Sequence, residues 1–583
     1  MDLIKIEPCL VPAGQGFSVL YKNRYLFSKY SPERAINQIV EQLEIRAGTL
    51  FLVFSPILDF PLQILLKKLK ECTPDIQKSC CILAVEHDKT LFDFSTSKAA
   101  FFSIPSQTPL EYIYAQSPKD VSIFIHYAQE NGVFPAKGML RRALRIDASA
   151  AVQSNTPFYA QAHLYTDDLI AGFWKNRITL SHLGKLFTTN MFKNVALLGK
   201  SVLLSQNEIT KPIIICAAGC SLDNTLTCLQ TDFVTNTSGA LQRKNVFIIA
   251  VDVTLIPLLQ RDIVPDAVIS MEAQLAIEQS YIGKHYLLDK LSTHAAMKGN
   301  PSYIHYICDI SSRNAVARNF SKSSQSIVSF FMSKYCKESF MQRVEHTKRV
   351  QPIIPPLGSV GLVAVEIALY LKAPSVPIYI SGLDFSYPAG STHCKSTPAY
   401  NQTIHSHTRL QPHGSPVAAY KESAQLLHNT FYTDKTLSGY GRLFAERFAH
   451  IPYIYTLEDS GYPLGLKKKT IVDIRTYTQK NKVPIRSKKL HINPDAYADT
   501  IMLQTFYKTE QERLLKIKKI LTNEFKTPLA TDTKKELLRL INDCSYVYLH
   551  FPDGYKKAQP DQDFLNRVRA GLDFYLKITT MRQ

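Results

Sequence analysis

The chain lacks an apolar stretch long enough to cross a bilayer. Its segment VFIIAVDVTLIPLL is interrupted by Asp252, whereas a membrane helix needs roughly 18 consecutive apolar residues. The N-terminus also lacks the charged and then apolar pattern of a secretion signal. We therefore expect a cytoplasmic protein with no membrane insertion.

The cysteine pattern fits neither a disulfide framework nor a metal site. Eleven cysteines, an odd number, are scattered from Cys9 to Cys544, which is typical of a reducing compartment. Cys216, Cys220 and Cys228 lie close in sequence, but no CxxC pair follows them. We expect buried thiols and assign no metal.

Acidic residues are in the minority, and the formal net charge is +19. Between Leu466 and Leu490 there are nine Lys or Arg against one Asp, which raises the question of nucleic-acid binding. That stretch holds a single aromatic residue and no recognition-helix or zinc-finger spacing. A solvated basic linker is favoured, and no nucleic-acid partner is expected.

The chain of 583 residues is too long for one hydrophobic core and should divide into several domains. Residues 1–150 alternate apolar strands (GTLFLVFSP, CCILAVEH, VSIFIHY) with helical patterns, which predicts an N-terminal α/β domain. No glycine follows its first strand, so we expect a structural or acceptor-binding role. Helical patterns predict a connector at 151–208 and a C-terminal helical domain at 471–583.

Residues 209–470 carry the pattern of a Rossmann-like core. The strands PIIIC, NVFIIAVD and DAVISME are followed by turns or helices, and LGSVGLVAVEIALYLKAPSVPIYISGLDF predicts a further helix and strand. Strands that alternate with helices at this spacing imply an α/β fold with a mostly parallel, doubly wound sheet. Such sheets bind ligands at the carboxyl ends of their strands.

Two small-residue turns in this core open helices. Gly219 and Ser221 follow the strand PIIIC, and Gly358 and Ser359 precede GLVAVEIALYL. Amides at a helix start can hold an anion, and a nearby glycine lets phosphate approach the backbone. The alternative is that these small residues only let each helix pack closely on its strand.

Three acidic residues follow predicted strands. Asp252 stands where Rossmann-like sheets place a group that bonds a ribose hydroxyl, Glu272 follows the next strand, and Asp384 ends the last one. Helix capping is the alternative for Asp252, and an exposed loop carboxylate is the alternative for Glu272.

The loop after the last strand contains the titrating groups. His393 is our candidate base, because an imidazole can accept a proton from a hydroxyl near neutral pH. His405 and His407 lie in the same loop and compete for this role. Tyr387 lies between Asp384 and His393.

The motifs PIIICAAGCSLDN, NVFIIAVDVTLIPLLQRDIVPDAVISME and GSVGLVAVEIALYLKAPSVPIYISGLDFSYPAGSTH together carry a resemblance. They resemble the motility-associated-factor (Maf) glycosyltransferases, the flagellin-modifying family that shares a core with the archaeal pterin diphosphokinase MptE. The resemblance spans about residues 15–480. The core is also similar to bacterial sialyltransferases that use CMP-sialic acid.

The resemblance implies transfer of a nonulosonic acid, of the pseudaminic, legionaminic or sialic kind, from its CMP ester to Ser or Thr hydroxyls of flagellin. It also implies a role in flagellar filament assembly and motility, a CMP-sugar as donor substrate and no separate cofactor. Gly219, Ser221, Asp252, Glu272, Gly358 and Ser359 would bind the donor nucleotide. His393 would be the base, Asp384 would match the acidic end of the last strand, and Tyr387 would donate to the leaving phosphate.

The first turn departs from the G-x-G-P-S pattern of the sialyltransferases, since Ala217 and Cys220 replace a glycine and the proline. Donor binding could therefore differ. Two other functions stay open. One is diphosphate transfer from ATP to a hydroxymethylpterin, and the other is a non-catalytic protein that escorts flagellin.

Overall fold

The computed structural model describes most of the chain. The described residues are 7–14, 16–98, 107–235, 240–292, 303–335, 339–410, 412, 424–428, 430–481, 491–492, 496–523, 531–556, 558 and 560–580. They form two compact units, residues 1–182 and 183–583. In the part of the chain just defined, no helix is long and apolar enough to span a membrane.

The first unit combines a small antiparallel sheet with a parallel one. Its strands are β1 (Cys9–Pro12), β2 (Phe17–Tyr21), β3 (Arg24–Tyr25), β4 (Thr49–Phe54), β5 (Cys81–Glu86), β6 (Leu110–Tyr114) and β7 (Arg142–Asp147). Its helices are α1 (Arg34–Gln42), α2 (Phe60–Lys70), α3 (Pro74–Ser79), α4 (Lys89–Lys98), α5 (Pro118–Glu130) and α6 (Thr156–Val195), inside which the boundary between the units falls. The parallel sheet has the strand order β6-β5-β4-β7.

The predicted strand VSIFIHY is wrong, because this segment lies within helix α5. The Ser117 hydroxyl and backbone N–H both donate to the Asp120 carboxylate, at 2.9 and 2.8 Å, and fix the helix start. The helix buries one face, formed by Val121, Ile125 and Ala128. Capping and helical spacing therefore outweigh the strand propensity of valine, isoleucine and phenylalanine.

The second unit is built on a nine-stranded sheet. The strands of this unit are β8 (Leu203–Leu204), β9 (Ile213–Cys216), β10 (Phe247–Val251), β11 (Ala267–Ser270), β12 (Ile304–Asp309), β13 (Ser326–Ser333), β14 (Ile353–Ile354), β15 (Ile378–Ser381), β16 (Tyr387–Pro388), β17 (Gln425–His428), β18 (Phe431–Thr433), β19 (Ile454–Thr456), β20 (Lys467–Lys468) and β21 (His491–Ile492). The large sheet has the order β14-β13-β12-β11-β10-β9-β15-β19-β20, and each described pairing in it is parallel.

Helices cover both faces of this sheet. They are α7 (Leu222–Thr235), α8 (Leu255–Leu259), α9 (Lys284–Ser292), α10 (Asn314–Lys322), α11 (Ser339–His346), α12 (Val360–Leu371), α13 (Pro398–Ser406), α14 (Lys435–Phe448), α15 (Ile471–Lys480), α16 (Ala496–Asn523), α17 (Thr531–Asp543) and α18 (Gln562–Thr580). The predicted α/β class with a doubly wound parallel sheet is confirmed.

Alternate residues of one strand face two separate cores. Ile214 packs in a core with α7 and the C-terminal helices, where Tyr507 and Leu572 are also buried. Ile213 and Ile215 pack on the other face with α12 and α14. Burial on both faces explains why the strands read as continuous apolar runs. The C-terminal helices α16 to α18 therefore belong to the same compact unit as the sheet.

Candidate functional site

The strand order places a topological switch point between β9 and β15. From β9 the chain moves outward in one direction to β14 and then returns to the opposite side of β9 with β15. Cys216 at the end of β9 pairs with Ser381 at the end of β15. Open parallel sheets bind ligands in the crevice outside the carboxyl ends of such neighbouring strands. The predicted turn after β9 and the predicted Asp384 thus come together.

A hydrogen-bonded link joins the two strand ends at this point. The Ser221 hydroxyl and N–H donate to the two oxygens of the Asp384 carboxylate at 2.5 and 3.0 Å. The Gly382 N–H donates to the Ser221 hydroxyl oxygen at 3.1 Å. Burial raises the pKa of Asp384, and the bonds from Ser221 oppose that rise. Asp384 therefore anchors the β9–α7 turn.

Gly219 is required by the close approach of these two chain segments. Its N–H donates to the Gly382 carbonyl at 2.7 Å. A Cβ at this position would lie 2.6 Å from Asp384 Cγ and 2.7 Å from the Gly382 oxygen, closer than carbon and oxygen atoms pack. The packing explanation offered by the sequence therefore applies to Gly219, and it holds whether or not a phosphate also approaches the turn.

A cleft of about 390 Å³ opens beside this link, and we call it the main cleft. Five of the nine predicted site residues line it, namely Gly219, Ser359, Asp384, Tyr387 and His393. Ser221 lines a neighbouring cavity on the other side of Asp384, and Gly358 immediately precedes Ser359.

Two helices begin at the main cleft, with different chemistry at their starts. Asp434 caps α14, since its carboxylate accepts from the Thr436 and Leu437 N–H groups at 2.7 and 2.8 Å. Ser359 precedes α12 and makes no side-chain cap bond, and Gly358 forms the turn before it with a φ of 72°. The start of α12 therefore offers its first amides to an anion.

His393 is held in the wall of the main cleft by its own loop. Its Nδ1 lies 2.9 Å from the Thr392 hydroxyl oxygen. The neighbouring Cys394 N–H donates to the Ala218 carbonyl at 2.9 Å, which fastens the loop to the β9–α7 turn. Burial lowers the pKa of His393 below its ordinary value of 6.5, so the ring is neutral at pH 7 and able to accept a proton.

The competing histidines lie elsewhere. His405 lies in the last turn of α13, His407 directly follows the helix, and both are exposed. Neither lines the main cleft as the structure describes it. Tyr387, in contrast, is only 6% exposed and lies in β16, which pairs with β18 at the edge of the cleft.

Comparison with known proteins identifies the family to which this chain belongs. An uncharacterized protein from Treponema pallidum (strain Nichols) is 30% identical over 601 residues, which cover 99% of this chain and 96% of that protein. The chain belongs to the family of that Treponema protein. Residues 185–390 match the family model described as 6-hydroxymethylpterin diphosphokinase MptE-like, which confirms the MptE-like core inferred from the motifs.

A solved structure described as a MAf glycosyltransferase from Magnetospirillum magneticum AMB-1 is also similar to this family member. It covers 99% of this chain and 91% of its own, with 11% identity and a TM-score of 0.49. The MptE-like domain contains eight of the nine predicted site residues, and His393 lies three residues beyond its end.

Two predicted residues of the MptE-like domain are not brought into the main cleft. Asp252 is 3% exposed, and its carboxylate accepts from the Val253 N–H at 2.9 Å and from the Ser270 hydroxyl at 3.1 Å. Burial raises the pKa of Asp252 to about 7. Glu272 is half-buried and accepts from the Gln274 N–H at 2.9 Å. Contact of Asp252 with a ribose, and of Glu272 with the donor nucleotide, stays a prediction.

Sequence reasoning missed several residues of the main cleft. These are Ser386, Thr392, Asp434 and Thr436. The segment TDKT does carry an N-cap signal for α14, but nothing local shows that this helix start meets β15. The Thr433 hydroxyl donates to the Phe385 carbonyl at 2.9 Å and brings the two segments together. In the described ranges no group of three or more His, Cys, Asp or Glu side chains could hold a metal ion.

Proposed function

We propose that this protein is a glycosyltransferase that moves a nonulosonic acid from its CMP ester to Ser or Thr hydroxyls of flagellin in the cytoplasm. The observation that carries the proposal is the meeting, in one cleft, of an uncapped helix start, the Tyr387 side chain and the His393 ring. The choice of a nonulosonic acid as the donor sugar and of flagellin as the acceptor rests on the resemblance of the sequence motifs to Maf glycosyltransferases.

These groups suit the chemistry of sugar transfer. His393 would take the proton of the acceptor hydroxyl as its oxygen bonds to the anomeric carbon. The bond from that carbon to the phosphate oxygen would break at the same stage, and CMP would leave with its electron pair. The first amides of α12 and the Tyr387 hydroxyl would stabilise the phosphate charge. General-base assistance of this kind is worth ~100- to 10,000-fold in rate.

The charge of the main cleft favours a donor with a single phosphate charge. Its described lining includes the carboxylates of Asp384 and Asp434 and no Lys or Arg. The CMP ester of a nonulosonic acid carries one phosphodiester charge and a separate sugar carboxylate, whereas a triphosphate concentrates several charges on one phosphate chain. A helix start can balance a single phosphate charge.

Diphosphate transfer from ATP to a hydroxymethylpterin is the second candidate, because the matched family model is described by that activity. The test is calorimetric titration with CMP and with ATP. Binding of CMP supports sugar transfer, while preference for ATP supports diphosphate transfer. If neither nucleotide binds, a non-catalytic escort of flagellin becomes the better explanation.

The base is tested with His393→Ala, using exposed His405→Ala as the matched control. Incubation of flagellin with a CMP-activated nonulosonic acid should add sugar mass with the wild type and with His405→Ala. His393→Ala should be slower by ~100-fold or more but should bind CMP as well as the wild type, since the base acts on the acceptor. Full transfer activity of His393→Ala would contradict this role.

A further inference from the structure

A second cavity lies on the other side of the Asp384 link, and we call it the side cavity. Its volume is about 300 Å³. It opens at the carboxyl ends of β15 and β19, which are paired neighbours in the sheet. It shares three lining residues, Gly382, Leu383 and Asp384, with the main cleft. Residues 382–384, which directly follow β15, therefore border both spaces.

The outer wall of the side cavity is held firmly against that strand end. The Tyr462 N–H donates to the Asp384 carbonyl at 2.7 Å. A Cβ added at Gly461 would lie 2.8 Å from Asp384 Cα, so only glycine allows this approach. The half-buried Tyr462 side chain also lines the cavity.

Glu458 lines this space, and among the described residues no hydrogen bond holds its carboxylate. Its backbone is fixed by Thr456, whose hydroxyl oxygen accepts from the Glu458 N–H at 3.3 Å. The side chain is partly buried, and the charge of Lys468 attracts its carboxylate without forming a close ion pair among the described residues. The adjacent Asp459 is already paired with Lys468 at 2.7 Å. A partly desolvated carboxylate with no donor gains most from a ligand N–H or O–H.

We propose that the side cavity holds the base of the donor nucleotide and that Glu458 accepts a hydrogen bond from the exocyclic amine of cytosine. This inference rests on the proposed function, in which the phosphate of the same donor occupies the main cleft. Cytosine presents an amine donor where uracil presents a carbonyl acceptor, so a carboxylate attracts the first and repels the second. The Tyr462 ring offers an aromatic surface against which a pyrimidine can stack.

Binding of CMP, UMP and AMP to the full-length protein tests the inference. The wild type should bind CMP at least about tenfold more tightly than UMP, the discrimination expected from one well-placed hydrogen bond to a charged group. Glu458→Gln should reduce this ratio to within about threefold, because an amide can accept from cytosine or donate to uracil. Glu512→Gln, at an exposed position of α16 outside the described lining of both cavities, is the matched control and should keep the wild-type ratio.

The outcomes separate this inference from the proposed function. If the wild type binds CMP tightly but Glu458→Gln keeps the full preference over UMP, the role of Glu458 is refuted while sugar transfer stands. If AMP binds more tightly than CMP, the cytosine assignment falls. If the wild type binds none of the three nucleotides, the proposed function itself fails. If both variants melt at the same temperature as the wild type, misfolding is excluded as the cause of a changed nucleotide preference.

Discussion

Asp252 offers a sharp test of how burial acts in the MptE-like domain. Its carboxylate is 3% exposed, and its pKa is raised to about 7 from the ordinary 3.8. The native state therefore binds a proton between about pH 4 and pH 7 that the unfolded chain has lost. Since the native state binds more protons in this window, stability falls as pH rises through it. Above pH 7 the total decrease in the free energy of unfolding is about 4 kcal/mol.

Asp252→Asn should remove this pH dependence. The amide matches the protonated acid in shape, and its oxygen can keep the bond from the Val253 N–H. From pH 5 to pH 8 the free energy of unfolding of the wild type should fall by about 3 kcal/mol, whereas that of the variant should not change for this reason. The local protection of the variant, relative to the wild type at the same pH, should therefore rise roughly 100-fold from pH 5 to pH 8.

Hydrogen exchange followed by mass spectrometry of peptides from β10 and β11 measures this ratio directly. Fluorescence would not serve, because the single tryptophan, Trp174, lies in the other unit. Asp223→Asn is the control, since its carboxylate is paired with Arg261 at 3.3 Å and should gain no protection with rising pH. A variant-to-wild-type ratio that is the same at both pH values would refute the reasoning. Weaker CMP binding by Asp252→Asn would instead favour the ribose role predicted from sequence.

Two further predictions concern packing at and away from the site. Gly219→Ala places a methyl carbon within 2.7 Å of the Gly382 oxygen. It should lower the free energy of unfolding by about 1–3 kcal/mol and abolish CMP binding. Gly439→Ala is the control, because a Cβ there meets nothing within 4 Å, and it should leave both the melting temperature and CMP binding unchanged. Equal melting temperatures of the two glycine variants would contradict the close-approach argument, and equal CMP affinity would contradict a donor-binding role for this turn. Arg343→Ala breaks a two-pronged ion pair, at 2.5 and 3.0 Å, with buried Glu510 of α16 and should lower unfolding free energy by about 3 kcal/mol. An unchanged melting temperature by circular dichroism would show that Arg513, 2.9 Å from Glu510, suffices alone.

The local sequence pattern was sufficient to predict the strands and helices that are buried along their whole length and begin at a clear turn. The strand PIIIC and the helix after Ser359 appear at β9 and α12, because apolar runs buried on both faces and helical spacing are local properties. The segment VSIFIHY shows the limit, because its residue types favour a strand while its cap and its contacts select a helix. Short apolar runs are ambiguous in this way until their neighbours are known.

The sequence by itself determined that the residues after the core strands would meet at one edge of the sheet, because parallel strands bring their carboxyl ends to one edge. Only the tertiary structure decided which of them share a cleft. Asp252 and Asp384 both follow apolar strands, yet the first is enclosed with Ser270 and the second bridges the switch point to Ser221. Asp434 and Glu458 reach the same region through segments far along the chain. Strand order and depth of burial depend on contacts between distant residues, and a local pattern does not contain them.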